Sequence, residues 1–134
     1  MAPVTNIKDL RAIAMKKVPR AIFHYADRGS YDETTLKANQ ADLDAIALRQ
    51  RVMIDVSERS TKTTMIGEEV ALPLAIAPTG LTGLFHGDGE IHGCRAAHAA
   101  GIPFTLSTMS ICSIEDVAAA GNKPFWVQLS VIPD

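Results

Sequence analysis

The sequence predicts an α/β fold in which parallel strands alternate with helices. Three observations carry this. The stretch from Leu72 to Gly80, LPLAIAPTG, is an apolar run closed by a Pro-Thr-Gly turn. Two further apolar runs, Pro103–Ser107 and Phe125–Ser130, repeat the pattern. Between them lie stretches with helical spacing. A strand buried on both faces reads as a continuous apolar run, whereas a half-exposed strand alternates. Leu72, Leu74, Ala75, Ile76 and Ala77 leave no polar face, so this strand is expected to be covered on both sides. Strand, helix, strand in succession implies parallel pairing through right-handed crossovers.

The elements follow in order. Ile7, Leu10, Ile13 and Ala14 recur at helical spacing, with Thr5 or Asn6 available as N-cap, so a first helix is predicted over Asn6–Lys17. Val18-Pro19 breaks it. Pro19 suits the first turn of a second helix, Pro19–Asp27, which Gly29 ends. Ser30-Tyr31-Asp32-Glu33 has capping-box spacing and opens a third helix to about Ala45, with Leu36, Leu43 and Ile46 on one face. Arg49–Val56 reads as an irregular or short extended segment. Thr61–Met65 and Glu69–Ala71 flank Ile66-Gly67 as a small hairpin. Then come the strand Leu72–Ala77, with Pro73 tolerated at its start, and a helix from Gly89 to Ala100 ended by Gly101. A strand over Pro103–Ser107, a short helix capped by Ser113, a Gly121–Pro124 turn and a strand over Phe125–Ser130 complete the chain.

Composition narrows the classes. The chain has 134 residues, 47% hydrophobic, with a net charge of −2. That is globular and too balanced for a nucleic-acid binder. No run approaches the roughly 18 apolar residues of a membrane-spanning helix, and no basic-then-apolar leader opens the chain. Cys94 and Cys112 match no metal or redox spacing and read as reduced structural thiols in a cytoplasmic protein. His24, His86, His92 and His98 lack partners at metal-ligand spacing. Asp88 and Glu90 read as favourable charges at a helix start rather than an acid–base pair.

Two architectures satisfy the alternation, a doubly wound sheet and a (β/α)8 barrel. No Gly-x-Gly-x-x-Gly opens a helix, because Gly87-Asp88-Gly89 lacks the third glycine, so a dinucleotide fingerprint is absent. Taken alone, Tyr25 is an ordinary half-buried tyrosine, Pro78-Thr79-Gly80 a turn, Ser107 a strand terminus and Gln128 a backbone-satisfying amide.

A set of signatures in fixed order changes that weighting. They are Phe23–Gly29 (FHYADRG), Asp32–Leu36 (DETTL), Ala75–Gly80 (AIAPTG), Gly89-Glu90 with Arg95-Ala96-Ala97, Leu106–Ser110 (LSTMS) and Gln128-Leu129. Together they resemble the N-terminal part of the FMN-dependent α-hydroxy acid dehydrogenase and oxidase family. Ser107–Val117 is most similar to its bacterial respiratory L-lactate dehydrogenase branch.

The resemblance implies a TIM barrel preceded by helices and a small hairpin. Residues 1–60 would be the pre-barrel helices, and 61–134 the hairpin with about three of the eight strands. It implies FMN across the C-terminal ends of the strands. Backbone at Pro78, Thr79 and Gly80 would approach the flavin ring, with glycine required because a side chain would block that approach. Ser107 and Gln128 would hydrogen-bond the flavin, and Tyr25 would reach the substrate carboxylate. The implied reaction is oxidation of an L-2-hydroxy acid, L-lactate to pyruvate, with electrons passed to quinone or a respiratory chain. The complete form would be a homo-oligomer, cytoplasmic or held at the cytoplasmic face of the inner membrane.

Two departures stand against this pattern. The family's catalytic histidine, arginine and lysine fall beyond Asp134. Three strands cannot close a barrel, so the third is expected to present an unpaired edge. The alternative reading is therefore a non-catalytic remnant or a partner-dependent fragment. In addition, Ser130 stands where the family carries a substrate-contacting tyrosine.

Overall fold

The computed structural model describes residues 3–131. Ile132, Pro133 and Asp134, where the sequence predicts a third crossover to begin, lie outside them. The chain divides into two compact units, residues 1–58 and 59–134.

The first unit holds three helices. Helix α1, Ile7–Lys17, starts at Asn6, whose side chain accepts the Asp9 N–H while Asp9 accepts the Asn6 N–H. This capping box settles the choice between Thr5 and Asn6. Helix α2, Arg20–Asp27, uses Pro19 as its cap residue rather than its first helical one, and the Pro19 carbonyl accepts the Phe23 N–H at 2.9 Å. The helix stops at Arg28 in extended backbone, so Gly29 supplies no left-handed cap.

Helix α3, Thr34–Asp44, begins after the Ser30–Glu33 stretch without the expected side-chain cap. Tyr31 (φ 50°) and Glu33 (φ 58°) are left-handed, and an N-cap needs extended backbone. The Glu33 carboxylate instead accepts the Gly29 N–H at 3.3 Å. Helices α1 and α2 are joined by Arg11, which donates to both oxygens of Asp27, with Nη2 at 2.7 Å, and lies over the buried Phe23 ring at 5.9 Å.

The second unit opens on a hairpin. Strands β1 (Thr63–Met65) and β2 (Glu68–Val70) pair antiparallel across Ile66 (φ 49°) and Gly67 (φ 79°), the two positive φ angles a tight hairpin turn requires. Helix α4 (Gly89–Ala100), strand β3 (Thr105–Ser107), helix α5 (Ile114–Ala120) and strand β4 (Trp126–Gln128) follow. Strands β3 and β4 run parallel, with Thr105 opposite Trp126 and Ser107 opposite Gln128. Ser113 caps α5 by accepting the Asp116 N–H at 3.0 Å, and Gly101 (φ 69°) ends α4.

The strand expected over Leu72–Ala77 contracts to a single parallel bridge, Ile76 to Phe104. Ile76 donates to the Pro103 carbonyl at 2.9 Å and accepts from Thr105 at 3.1 Å. Pro73 and Pro78 have no N–H to extend the ladder, and neither does Pro103 across from them. Its faces are also not both covered: Leu74 is 58% exposed and Ile76 40%. The core lies on the other side of the strands, where Cys94 and Ala97 of α4 meet Phe104, Leu106 and Val117. Phe125 packs edge-on to Phe104, with centroids 6.3 Å apart.

Two glycines give a graded test. Gly67 and Gly101 both have positive φ; a methyl at Gly67 meets nothing within 4 Å, while one at Gly101 meets the Ala71 Cβ at 3.0 Å. Gly67→Ala is expected to cost about 1 kcal/mol and Gly101→Ala about 2–3 kcal/mol, read by urea unfolding followed through Trp126 fluorescence. Equal costs would remove the packing term.

The Arg11 hydrogen bonds hold the Asp27 carboxyl below its ordinary value of 3.8. Its contribution is therefore complete above that value and disappears as pH falls through the lowered one, since the unfolded chain binds the proton more readily there. Helical circular dichroism titrated toward acid is expected to show this loss, and Arg11→Gln to reduce it.

Candidate functional site

Backbone pairing in the second unit places three chain segments in one parallel register. Their C-terminal ends therefore share an edge: Ala77–Gly80 after the Ile76 bridge, Ser107 at the end of β3 and Gln128 at the end of β4. Five of the six residues singled out in the sequence, Pro78, Thr79, Gly80, Ser107 and Gln128, lie along it. Tyr25 belongs to the other unit, on α2, and its side chain is 72% exposed rather than half-buried. Phe23, two positions earlier, takes the buried face of that helix.

The edge is organised by hydrogen bonds within its loops and between them. The Leu81 N–H donates to the Met109 carbonyl at 2.8 Å. Thr82 Oγ1 donates to the Thr79 carbonyl at 3.0 Å. The Met109 N–H donates to Ser107 Oγ at 3.1 Å, which leaves the Ser107 hydroxyl hydrogen to point elsewhere. Ser107 is 8% exposed.

Thr108 ties the second loop to the third, which the sequence did not single out. Its hydroxyl donates to the Gln128 carbonyl and accepts the Ser130 N–H at 3.0 Å. The Gln128 side-chain amide in turn donates to Ser130 Oγ at 3.0 Å, which turns its carbonyl oxygen away from that contact.

Gly80 is under a steric constraint of its own, beside the ligand approach that the resemblance implies. Its φ is not in the left-handed region, but a methyl there would stand 2.9 Å from the Met109 Cβ and 3.7 Å from Ser107 Oγ. The neighbouring loop of this chain already fills the space a side chain would need.

Glu90 stands in the first turn of α4, at the helix start where the sequence reading has it, and is 2% exposed, a burial that reading did not foresee. Its Oε1 accepts the Ile111 N–H at 3.1 Å and the Gly83 N–H at 3.4 Å. Burial alone would raise its pKa; the Ile111 and Gly83 N–H groups, its own N–H and the neighbouring Cys112 thiol together bring it below the ordinary value. Burial, and then this carboxylate, hold the Cys112 thiol up. The signal was present in the spacing. Glu90, Cys94 and Ala97 recur at helical intervals on one buried face.

A model of the family described as FMN-dependent dehydrogenase matches residues 14–134. The chain belongs to that family. Among curated members, it is 53% identical over 126 residues to an L-lactate dehydrogenase of Vibrio cholerae serotype O1 (strain M66-2), and 52% identical to one from Pseudomonas putida. Each alignment covers 94% of this chain and 33% of the relative, so the chain spans about a third of their length.

Among solved structures of the FMN-dependent dehydrogenases and their kin, a soluble mutant of the membrane-associated (S)-mandelate dehydrogenase from Pseudomonas putida superposes with a TM-score of 0.90 at 37% identity. That match covers 98% of this chain and 38% of that one. A mandelate oxidase structure gives 0.86 at 37% identity, over 95% and 38%. The FMN-dependent dehydrogenase assignment therefore covers nearly the whole chain, and the matched part is about a third of each relative.

If the Met109 Cβ is what excludes a side chain at position 80, Gly80→Ala is expected to speed hydrogen exchange at the Leu81 amide by about tenfold or more. Adding Met109→Gly, which removes the opposing Cβ, is expected to restore protection. Unchanged exchange in the single variant would show that the loop absorbs the methyl.

Proposed function

We propose that this chain forms part of an FMN-dependent enzyme that oxidises an L-2-hydroxy acid, L-lactate to pyruvate, and that the shared strand edge is its flavin cradle. The observation that carries the reading is the common register of Pro78–Gly80, Ser107 and Gln128 at the C-terminal ends of three parallel segments. In βα barrels, active sites lie at that end. The 52–53% identity to L-lactate dehydrogenases supports lactate over the mandelate of the matched structures. The fold reading goes with it: the two units form the N-terminal portion of a single (β/α)8 domain, whose further strands would cover the exposed faces of Leu74 and Ile76.

The residues fit the group. A flat ring carrying both N–H and carbonyl functions needs a surface without protruding side chains, one donor and one acceptor. Gly80 has no room for a side chain. The Ser107 hydroxyl keeps its hydrogen to donate, and the Gln128 carbonyl oxygen is turned away from Ser130. When bound, FMN supplies the two-electron acceptor for the hydroxy acid. The chain's own part is to hold and orient. Pro78, Thr79 and Gly80 present backbone to the ring, Ser107 and Gln128 fix its polar edge, and the Tyr25 hydroxyl binds the substrate carboxylate. By the family pattern, the histidine that takes a proton from the substrate, the arginine that clamps the carboxylate and the lysine that stabilises flavin charge come from sequence beyond this chain. The electron acceptor would be a quinone or respiratory chain, and the complete protein a homo-oligomer. The protein would be cytoplasmic or peripheral on the cytoplasmic face of the inner membrane; what supports membrane association is a matched (S)-mandelate dehydrogenase structure described as a monotopic membrane protein. No helix among the described residues is long and apolar enough to cross a membrane.

Ser130 supports a second reading, a chain that keeps the cradle with weakened or absent turnover. Serine cannot reach where the family's tyrosine hydroxyl meets substrate, and here it binds the Gln128 amide instead.

Anaerobic L-lactate added to the FMN-loaded protein, with the segment that supplies the histidine, arginine and lysine present, separates the two. Bleaching of the flavin supports dehydrogenation, and flavin that stays oxidised supports the second reading. Ser107→Ala is expected to weaken FMN binding about tenfold. In a protein that turns over, Tyr25→Phe is expected to raise KM for L-lactate by a similar factor, and Ser130→Tyr to raise kcat/KM. FMN binding unaffected by Ser107→Ala would remove Ser107 from the cradle.

A further inference from the structure

Glu90 is the buried charged group that the proposed chemistry leaves without a task. It sits in the first turn of α4, behind the strand edge, and one oxygen receives two backbone donors from different loops. Gly83 belongs to the short 3-10 turn Thr82–Leu84, in the loop that carries Pro78–Gly80. Ile111 belongs to the loop that leaves Ser107 toward α5. Their pairing has a steric counterpart, since a methyl on Gly83 would meet the Ile111 Cβ at 3.0 Å. Glu90 also lines a small cavity of about 80 Å³ whose other walls include Thr79, Thr82 and Ser107. The second carboxylate oxygen is buried with no partner at hydrogen-bond distance, although the Cys112 thiol is near enough to the carboxylate to help hold its pKa down.

An unpaired buried oxygen is costly, and α4 could have closed the same face with an apolar side chain. A carboxylate is retained where a single acceptor must serve two N–H groups, because each charge-assisted bond is stronger than its neutral equivalent. We propose that Glu90 is a positioning residue for the flavin cradle. It fixes the loop after the Ile76 bridge against the loop after β3, so that Pro78–Gly80 and Ser107 address one ring. The inference rests on the cradle reading for its purpose, but the clamp itself is a property of the loops. Glu90 touches neither ring nor substrate and acts through the two backbones it holds.

The test uses three substitutions in the 134-residue chain, read by amide hydrogen exchange at Gly83 and Ile111 and by FMN titration through flavin fluorescence. Glu90→Gln keeps an acceptor oxygen at the same reach. Both amides are expected to stay within about threefold of wild-type exchange, and FMN affinity likewise. Glu90→Leu fills the space but orphans both N–H groups; both amides are expected to exchange about tenfold faster or more, with FMN binding weakened about tenfold. A general loss of packing would not be rescued by glutamine in this way. Glu90→Asp keeps the charge one methylene short of at least one loop, and serves where Glu90→Leu does not fold. At least one of the two amides is expected to lose protection about tenfold.

A folded Glu90→Leu or Glu90→Asp that protects both amides and binds FMN as wild type does would overturn the proposal. If wild type takes up no FMN, the result counts against the cradle only for this chain by itself, and the exchange data still decide the clamp. Joint loss at Gly83 and Ile111 in Glu90→Leu supports it, and unchanged protection at both overturns it.

Discussion

The second unit depends on one backbone interaction, the two-way pairing of Ile76 with the chain at Pro103 and Thr105. Ile76 both donates and accepts there, as a parallel strand must. Remove that exchange and the loop carrying Pro78–Gly80 loses its alignment with β3. The register is then passed on by Thr105–Ser107 against Trp126–Gln128. Side-chain period in a strand is two, so a one-residue slip would turn Ser107 from the edge it shares with Gln128. Every polar group in the candidate cradle inherits its position from this ladder, and the apolar packing of α4 and α5 holds the ladder from one side.

What was legible in the sequence divides by physical cause. Signals local to a few residues were readable: the caps at Asn6 and Ser113, the left-handed stop at Gly101 and the Ile66-Gly67 turn each depend on a single turn of chain. So was strand–helix alternation. Signals that depend on two remote segments were not. The Leu72–Ala77 run has the composition of a covered strand, yet three prolines distributed over it and its neighbour reduce its ladder to one bridge. The capping-box letters at Ser30–Glu33 were correct in type but were overruled by the left-handed backbone at Tyr31 and Glu33. Nothing in that tetrapeptide announces such a conformation.

The site shows the same division. Pro78, Thr79, Gly80, Ser107 and Gln128 could be named because the family resemblance implies them; taken alone each reads as an ordinary turn or strand end, and what the pattern adds is their place at the ends of apolar runs. Thr108 could not be named so easily, because its importance comes from bridging two loops, and the residue it serves is 20 positions away. Gly80 was singled out for one reason and constrained by another. The sequence reading assigned the missing side chain to approach of a ligand, whereas the loop at Met109 already demands it. The two demands are compatible: a glycine forced by neighbouring backbone also leaves bare peptide surface. Gly80 alone fits a tightly packed turn as well as a cradle, and the weight passes to Ser107 and Gln128, whose hydroxyl hydrogen and side-chain carbonyl oxygen are not used in their contacts with Met109 and Ser130.

Ser130 brings this to its sharpest point. A tyrosine at that position would carry its hydroxyl well beyond the Gln128 amide. Serine holds its oxygen close to the backbone, where the amide can reach it at 3.0 Å. The substitution therefore does more than remove a distant contact, because it gives Gln128 a new partner on the same strand end. Thr108 already holds the Gln128 carbonyl and the Ser130 N–H, so both backbone and side chain of this strand terminus are fixed from within. A flavin edge presented to it would meet an amide already oriented, at the expense of the reach that a longer residue would give toward substrate. Under the proposed reading, cofactor binding and substrate contact are therefore separable at this position.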